Sequence, residues 1–61
     1  SLPDLYLKQC VFEFPKNPVA KKCFAEYEES MTVAFTGSGG THIPDDIAQE
    51  LKMLQELVKT D

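Results

Sequence analysis

The chain has 61 residues, of which ten are acidic and six basic, and its formal net charge is -4 at pH 7. A chain this short buries only about 60% of the surface its unfolded form exposes, so we expect a single small domain over residues 1–61. The negative charge disfavours nucleic acid and anionic membrane surfaces as partners, because both attract basic faces. No apolar run approaches the roughly 18 residues that a membrane-spanning helix needs.

The first segment, residues 1–14, is compatible with two secondary structures. Ser1 and Asp4 have the spacing of a helix-capping pair, and Pro3 suits a first helical turn. Several apolar side chains then share one helical face: Tyr6, Leu7, Cys10, Val11 and Phe14. Residues 10–14 also alternate in polarity as a strand would. We expect a helix here, with a strand as the alternative.

The second segment follows a turn of sequence Pro-Lys-Asn-Pro at residues 15–18. Asn17 is a favourable N-cap and Pro18 a favourable first helical residue. The apolar face predicted for this helix consists of Val19, Ala20, Cys23, Phe24, Tyr27 and Met31. After Ser30 the pattern becomes alternating, which predicts a short extended stretch at 31–35.

A Gly- and Ser-rich segment at 36–41 predicts a flexible connector. Its composition also resembles that of an engineered linker, which would join residues 1–35 to a helical peptide at 42–61. A natural loop is the other interpretation, since Gly and Ser are ordinary loop residues.

The third segment predicts an amphipathic helix. Pro44, Asp45 and Asp46 suit a helix start, because acidic side chains are favoured near the positive end of the helix dipole. The apolar side chains then recur at helical spacing: Ile47, Leu51, Leu54, Leu57 and Val58. We interpret this stripe as part of the core, and the alternative is a recognition helix that lies in the groove of a partner.

Together these segments predict a mostly α fold, in which a small helical hairpin is covered by a C-terminal amphipathic helix. The alternative is an α+β fold with two short strands, at about 8–14 and 31–35, and a helix across the sheet.

Cys10 and Cys23 lie at equal distances on either side of the turn at 15–18. An antiparallel hairpin therefore brings the two side chains to the same level, so a disulfide is geometrically possible. Two reduced core cysteines are the alternative. A bridge predicts a secreted protein, whereas free thiols predict an intracellular one.

Catalytic and metal-binding patterns are weak in this sequence. His42 is the only histidine, and the chain lacks the closely spaced Cys or His pairs of a zinc site. A nucleophilic pair of Cys23 and His42 would need a third group and an enclosed pocket that a chain this short can hardly provide. The Gly-rich segment lacks the Gly-Lys-Ser/Thr ending of a phosphate-binding loop. We therefore expect no enzymatic activity, no metal, no cofactor and no small-molecule substrate.

The apolar residues point instead to protein binding. The aromatic side chains exceed what one short helix can cover, and those predicted to form a surface are Phe12, Phe14, Phe24, Tyr27 and Phe35. The leading hypothesis is a non-enzymatic protein–protein interaction module, whose partner is another protein or a second copy of the chain. The alternative is a secreted single-disulfide effector such as a pheromone, a toxin-like peptide or an inhibitor.

Overall fold

The computed structural model describes residues 2–59, and within them the chain forms three helices and one small antiparallel hairpin. In chain order these are α1 (Asp4–Glu13), α2 (Pro18–Ala34), β1 (Thr36–Gly37), β2 (Gly40–Thr41) and α3 (Asp45–Val58). The mostly α prediction is confirmed, with α1 and α2 as the helical hairpin and α3 packed against both of them. The capping role expected of Ser1 lies outside the described residues.

The turn between α1 and α2 forms as its sequence predicts. The Asn17 side chain accepts a hydrogen bond from the backbone N–H of Val19 at 3.0 Å, and Pro18 takes the first helical position. Lys16 in the same turn donates from Nζ to the backbone carbonyl of Lys59 at 2.6 Å. The turn therefore holds the C-terminal end of α3 as well as reversing the chain.

The extended stretch predicted at 31–35 is wrong, and the alternative strand at about 8–14 does not form. Residues 8–13 belong to α1, and α2 continues to Ala34 instead of ending near Ser30. Met31 lies four residues after Tyr27 and so continues the buried stripe of α2, while Val33 points to solvent. Burial of Met31 in the core, which requires one more helical turn, outweighs the weak strand preference of the alternating residues.

The short strands occur instead inside the expected connector. Thr36 pairs with Thr41 and Gly37 with Gly40, which leaves a two-residue turn of Ser38 and Gly39. Gly40 has a φ of 106°, a backbone conformation that other residues adopt only with strain. The two threonine hydroxyls lie 2.9 Å apart and reinforce the pairing. Residues 36–41 thus form an ordered turn that leads the chain from α2 to α3.

The core is built by all three helices. Its buried side chains are Leu7, Val11, Ala20, Cys23, Phe24, Tyr27, Met31, Leu54 and Val58. Half-buried apolar side chains pack around it: Cys10, Phe35, Ile47, Leu51 and Leu57. Within residues 2–59, no helix has the length and apolar character needed to cross a membrane.

Candidate interaction surface

A disulfide joins the two helices of the hairpin. Cys10 of α1 and Cys23 of α2 are bonded, with their Cα atoms 6.3 Å apart. Cys23 is buried and Cys10 half-buried, so the bridge lies at the edge of the core. The symmetric placement about the turn produces the bridge because the antiparallel helices bring both positions to one level. With Cys23 bonded, the considered Cys23–His42 nucleophilic pair does not exist in this structure.

A polar cluster fastens α3 to the hairpin. The Tyr27 hydroxyl donates a hydrogen bond to Oε1 of Glu50, and Lys8 forms an ion pair with Oε2 of the same carboxylate at 3.3 Å. The Lys8 ammonium also lies 5.7 Å from the centroid of the Tyr27 ring. One side chain from each helix meets here, and the cluster therefore fixes how α3 is placed. A second polar link, from the Ser30 hydroxyl to Asp4 Oδ1 at 2.9 Å, ties the start of α1 to α2.

Tyr27 is expected to make the protein sensitive to alkaline pH. Burial raises the pKa of Tyr27 far above its ordinary value of 10.0, and the hydrogen bond to Glu50 and the charges of Glu50 and Asp4 raise it further. Above pH 10 the unfolded chain loses a proton that the folded chain keeps. The free energy of unfolding should therefore fall as pH rises above that point.

Urea unfolding at pH 8 to 11.5 checks this expectation. Tyr27→Phe should cost about 1 kcal/mol at pH 8, where the hydrogen bond to Glu50 is lost, and should flatten the alkaline decline. Tyr6→Phe is the matched control, because Tyr6 is exposed and should leave the decline unchanged. An equal decline in the Tyr27 variant would remove this residue as the cause.

The stripe of α3 faces the core in the structure. Leu54 and Val58 are buried, and the other three residues predicted for the stripe are half-buried against the core: Ile47, Leu51 and Leu57. The alternative was a recognition helix whose apolar stripe lies in the groove of a partner. In this structure the stripe packs against α1 and α2 instead.

The predicted aromatic surface divides into two groups. Phe24 and Tyr27 are buried, and Phe35 is half-buried against the core, so the expectation that Phe24 and Tyr27 form a surface is corrected. They lie on the same helical stripe as Ala20 and Met31, which places them inside. Phe12 and Phe14 are both exposed over about half of their surface. These two remain available to a partner.

Sequence reasoning missed part of this exposed surface. Leu5 is 65% exposed and Tyr6 is 56% exposed, although both belong to α1. The signal was present, because the apolar side chains of α1 are spread around the helix and not confined to one face, so packing on one side cannot cover them all. We call Leu5, Tyr6, Phe12 and Phe14 the α1 outer surface.

Two shallow grooves run between α1 and α2. The first has a volume of about 270 Å³ and is lined by Leu2, Leu7, Glu26, Glu29, Ser30 and Val33. The second has a volume of about 190 Å³ and is lined by Tyr6, Gln9, Cys10, Glu13, Phe14 and Val19. No α3 residue lines either groove. We call this pair of grooves the open seam.

His42 directly follows the second strand of the small hairpin. His42 is exposed, and its backbone N–H bonds to the carbonyl of Phe35 at 2.9 Å. Within residues 2–59, no three His, Cys, Asp or Glu side chains converge on a point where a metal ion could bind.

Comparison with known protein families, with characterised proteins and with solved structures gives no match for this chain. The proposed function below therefore rests on the fold and its exposed side chains.

Proposed function

We propose that the protein is a non-enzymatic protein–protein interaction module that binds a partner through the α1 outer surface. The observation that carries this proposal is the exposure of Leu5, Tyr6, Phe12 and Phe14 on and just after one short helix. Single exposed apolar side chains are ordinary, but four large ones on one short segment of a small domain favour a binding role for that segment.

The composition of the surface also supports binding. Three of its four side chains are aromatic, and aromatic side chains are enriched at interfaces because they give a large contact area at a low entropic cost. An aromatic side chain buries about 150–250 Å², so the half-exposed residues offer on the order of 400 Å² in total. This area suits the central part of an interface whose polar rim adds the rest.

A secreted effector is the second candidate, and the disulfide favours it. Bridges persist in oxidising compartments and are rare where thiols are kept reduced. Small secreted domains use such bridges because their cores are too small to hold the fold alone. The two candidates are compatible with one molecule, since an effector also acts by binding another protein.

The double substitution Leu5→Ser with Phe12→Ser tests the proposal. Leu5 is 65% exposed and Phe12 52%, so we expect the free energy of unfolding to fall by only about 1 kcal/mol or less per site. Partner binding should fall strongly, because truncating central apolar contacts at an interface often costs more than about 2 kcal/mol each. The measurement is quantitative affinity capture from the source tissue or fluid, with the wild type and the variant compared protein by protein.

Met53→Ser is the matched control. Met53 is 46% exposed on α3, away from the α1 outer surface, and should leave capture unchanged. A set of captured proteins that is identical for the wild type and the double variant would contradict the proposal, provided that circular dichroism shows the same fold.

A further inference from the structure

The open seam is a side of the helical hairpin that residues 2–59 leave uncovered. The core side of α2 carries Ala20, Tyr27 and Met31. A separate stripe of the same helix has a residue at every seventh position, namely Val19, Glu26 and Val33. The core stripe is covered by α3. The stripe of the seam has no covering element within residues 2–59.

The floor of the seam is apolar and its rim is acidic. The apolar surface of the two grooves comes from Leu2, Tyr6, Phe14, Val19 and Val33. Of these side chains, Val33 is 68% exposed. Among residues 2–59, the ionised side chains that line the two grooves are all carboxylates: Glu13, Glu26 and Glu29.

These carboxylates have no cationic partner within the described part of the fold. Between residues 2 and 59, the ion pairs formed are Lys8 with Glu50 and Lys59 with Glu56, and neither involves a seam carboxylate. Lys22 shares the helical stripe of α2, and with it counted the four charges of the seam still sum to -2.

We propose that the open seam binds an amphipathic helix of a partner protein, whose apolar stripe is flanked by lysine or arginine side chains. This proposal rests on the proposed binding function and names the partner's chemistry. The apolar stripe would enter the seam as α3 enters the other side of the hairpin. The flanking cations would pair with Glu13, Glu26 and Glu29.

The dimensions fit a helix better than a small molecule. Neither groove reaches the volume of roughly 300 Å³ at which small-molecule sites begin. The ten residues of α1 extend over about 15 Å, so a partner helix of three turns would span the seam.

Charge disfavours a second copy of the chain as the occupant. Each chain carries a net charge of -4, and two seams in contact would bring their carboxylates together. Like charges placed across an interface oppose association. A basic helix removes that repulsion and gains attraction in its place.

The test uses two synthetic helical peptides of about three turns with the same leucine face, one flanked by lysines and the other by glutamates. Isothermal titration calorimetry with the full chain should show binding of the lysine peptide only. Glu26→Gln with Glu29→Gln should weaken that binding by about fivefold at low salt. Glu28→Gln with Asp45→Asn makes the same change in net charge away from the grooves and should change binding by less than twofold.

Val33→Ser separates seam binding from general attraction between opposite charges. Val33 is exposed, so the fold should be retained, while binding of the lysine peptide should fall. Amide chemical shifts should change along α1 and α2 and not along the outer side of α3.

Equal binding of both peptides, or equal losses in the two charge variants, would overturn the proposal. So would a dimer of the free chain that Val33→Ser dissociates, because a second copy would then occupy the seam. The proposed function is judged separately by partner capture with the α1 outer surface variant. It stands if that capture falls while neither peptide binds.

Discussion

Leu54→Ala is expected to destabilise the protein by about 2–5 kcal/mol, which is most of the stability available to a domain of this size. Leu54 is 0% exposed and belongs to the core that all three helices share. Removing its side chain leaves a cavity that the packed neighbours fill only in part. Urea unfolding of the wild type and the variant gives the difference directly.

Met53→Ala provides the comparison on the same helix. Because its side chain points to solvent, we expect a change of about 0.5 kcal/mol or less. Hydrogen exchange across residues 47–58 adds a second reading, since helix amides that are held by the core should exchange near the rate of global unfolding. Similar stabilities for the two variants, or an α3 that exchanges as a free helix in the wild-type monomer, would show that α3 does not depend on this core.

Replacing Cys10 and Cys23 together with serine is expected to lower the free energy of unfolding by about 2–4 kcal/mol. The bridge joins residues 13 positions apart, and the closed loop restricts the unfolded chain far more than the folded one. The measurement is thermal or urea unfolding with and without a reductant.

Reduction of the wild type is the matched control, because it breaks the bridge without changing a side chain. It should reproduce the double variant to within the cost of one buried and one half-buried hydroxyl. The stability of the double variant itself should not change with reductant. A thiol assay on the denatured, non-reduced protein should find no free thiol. Two free thiols, or a melting curve that is indifferent to reductant, would contradict both the bridge and the argument for a secreted protein.

Local chemistry was predictable from the sequence. Asn17 and Pro18 fixed the start of α2, because capping depends on residues within one turn. The stripe from Ile47 to Val58 predicted α3, because regular helical spacing over three turns leaves little choice of structure. The proximity of Cys10 and Cys23 was predictable because the two residues lie at equal distances from the turn at 15–18.

Longer-range features were not predictable in this way. The continuation of α2 through Met31 depends on packing in the core, and a window of five alternating residues cannot reveal it. The ion pair between Lys8 and Glu50 joins positions 42 apart in the chain, and only the packed fold brings them together. The exposure of Leu5 and Tyr6 depends on which side of α1 the other helices cover.

The disulfide has an unequal effect on the parts of the fold. It links α1 to α2, whereas α3 is held by side-chain packing, by the cluster of Tyr27, Glu50 and Lys8, and by the bond from Lys16 to Lys59. If α3 alone detaches, the hairpin stays folded and crosslinked. The bridge therefore does not add to the free energy of that local opening. We therefore expect an opening of α3 alone to be insensitive to reductant, and unfolding of the hairpin to be sensitive to it. Oxidising conditions protect the hairpin, while the hold on α3 depends on packing, and through Tyr27 on pH.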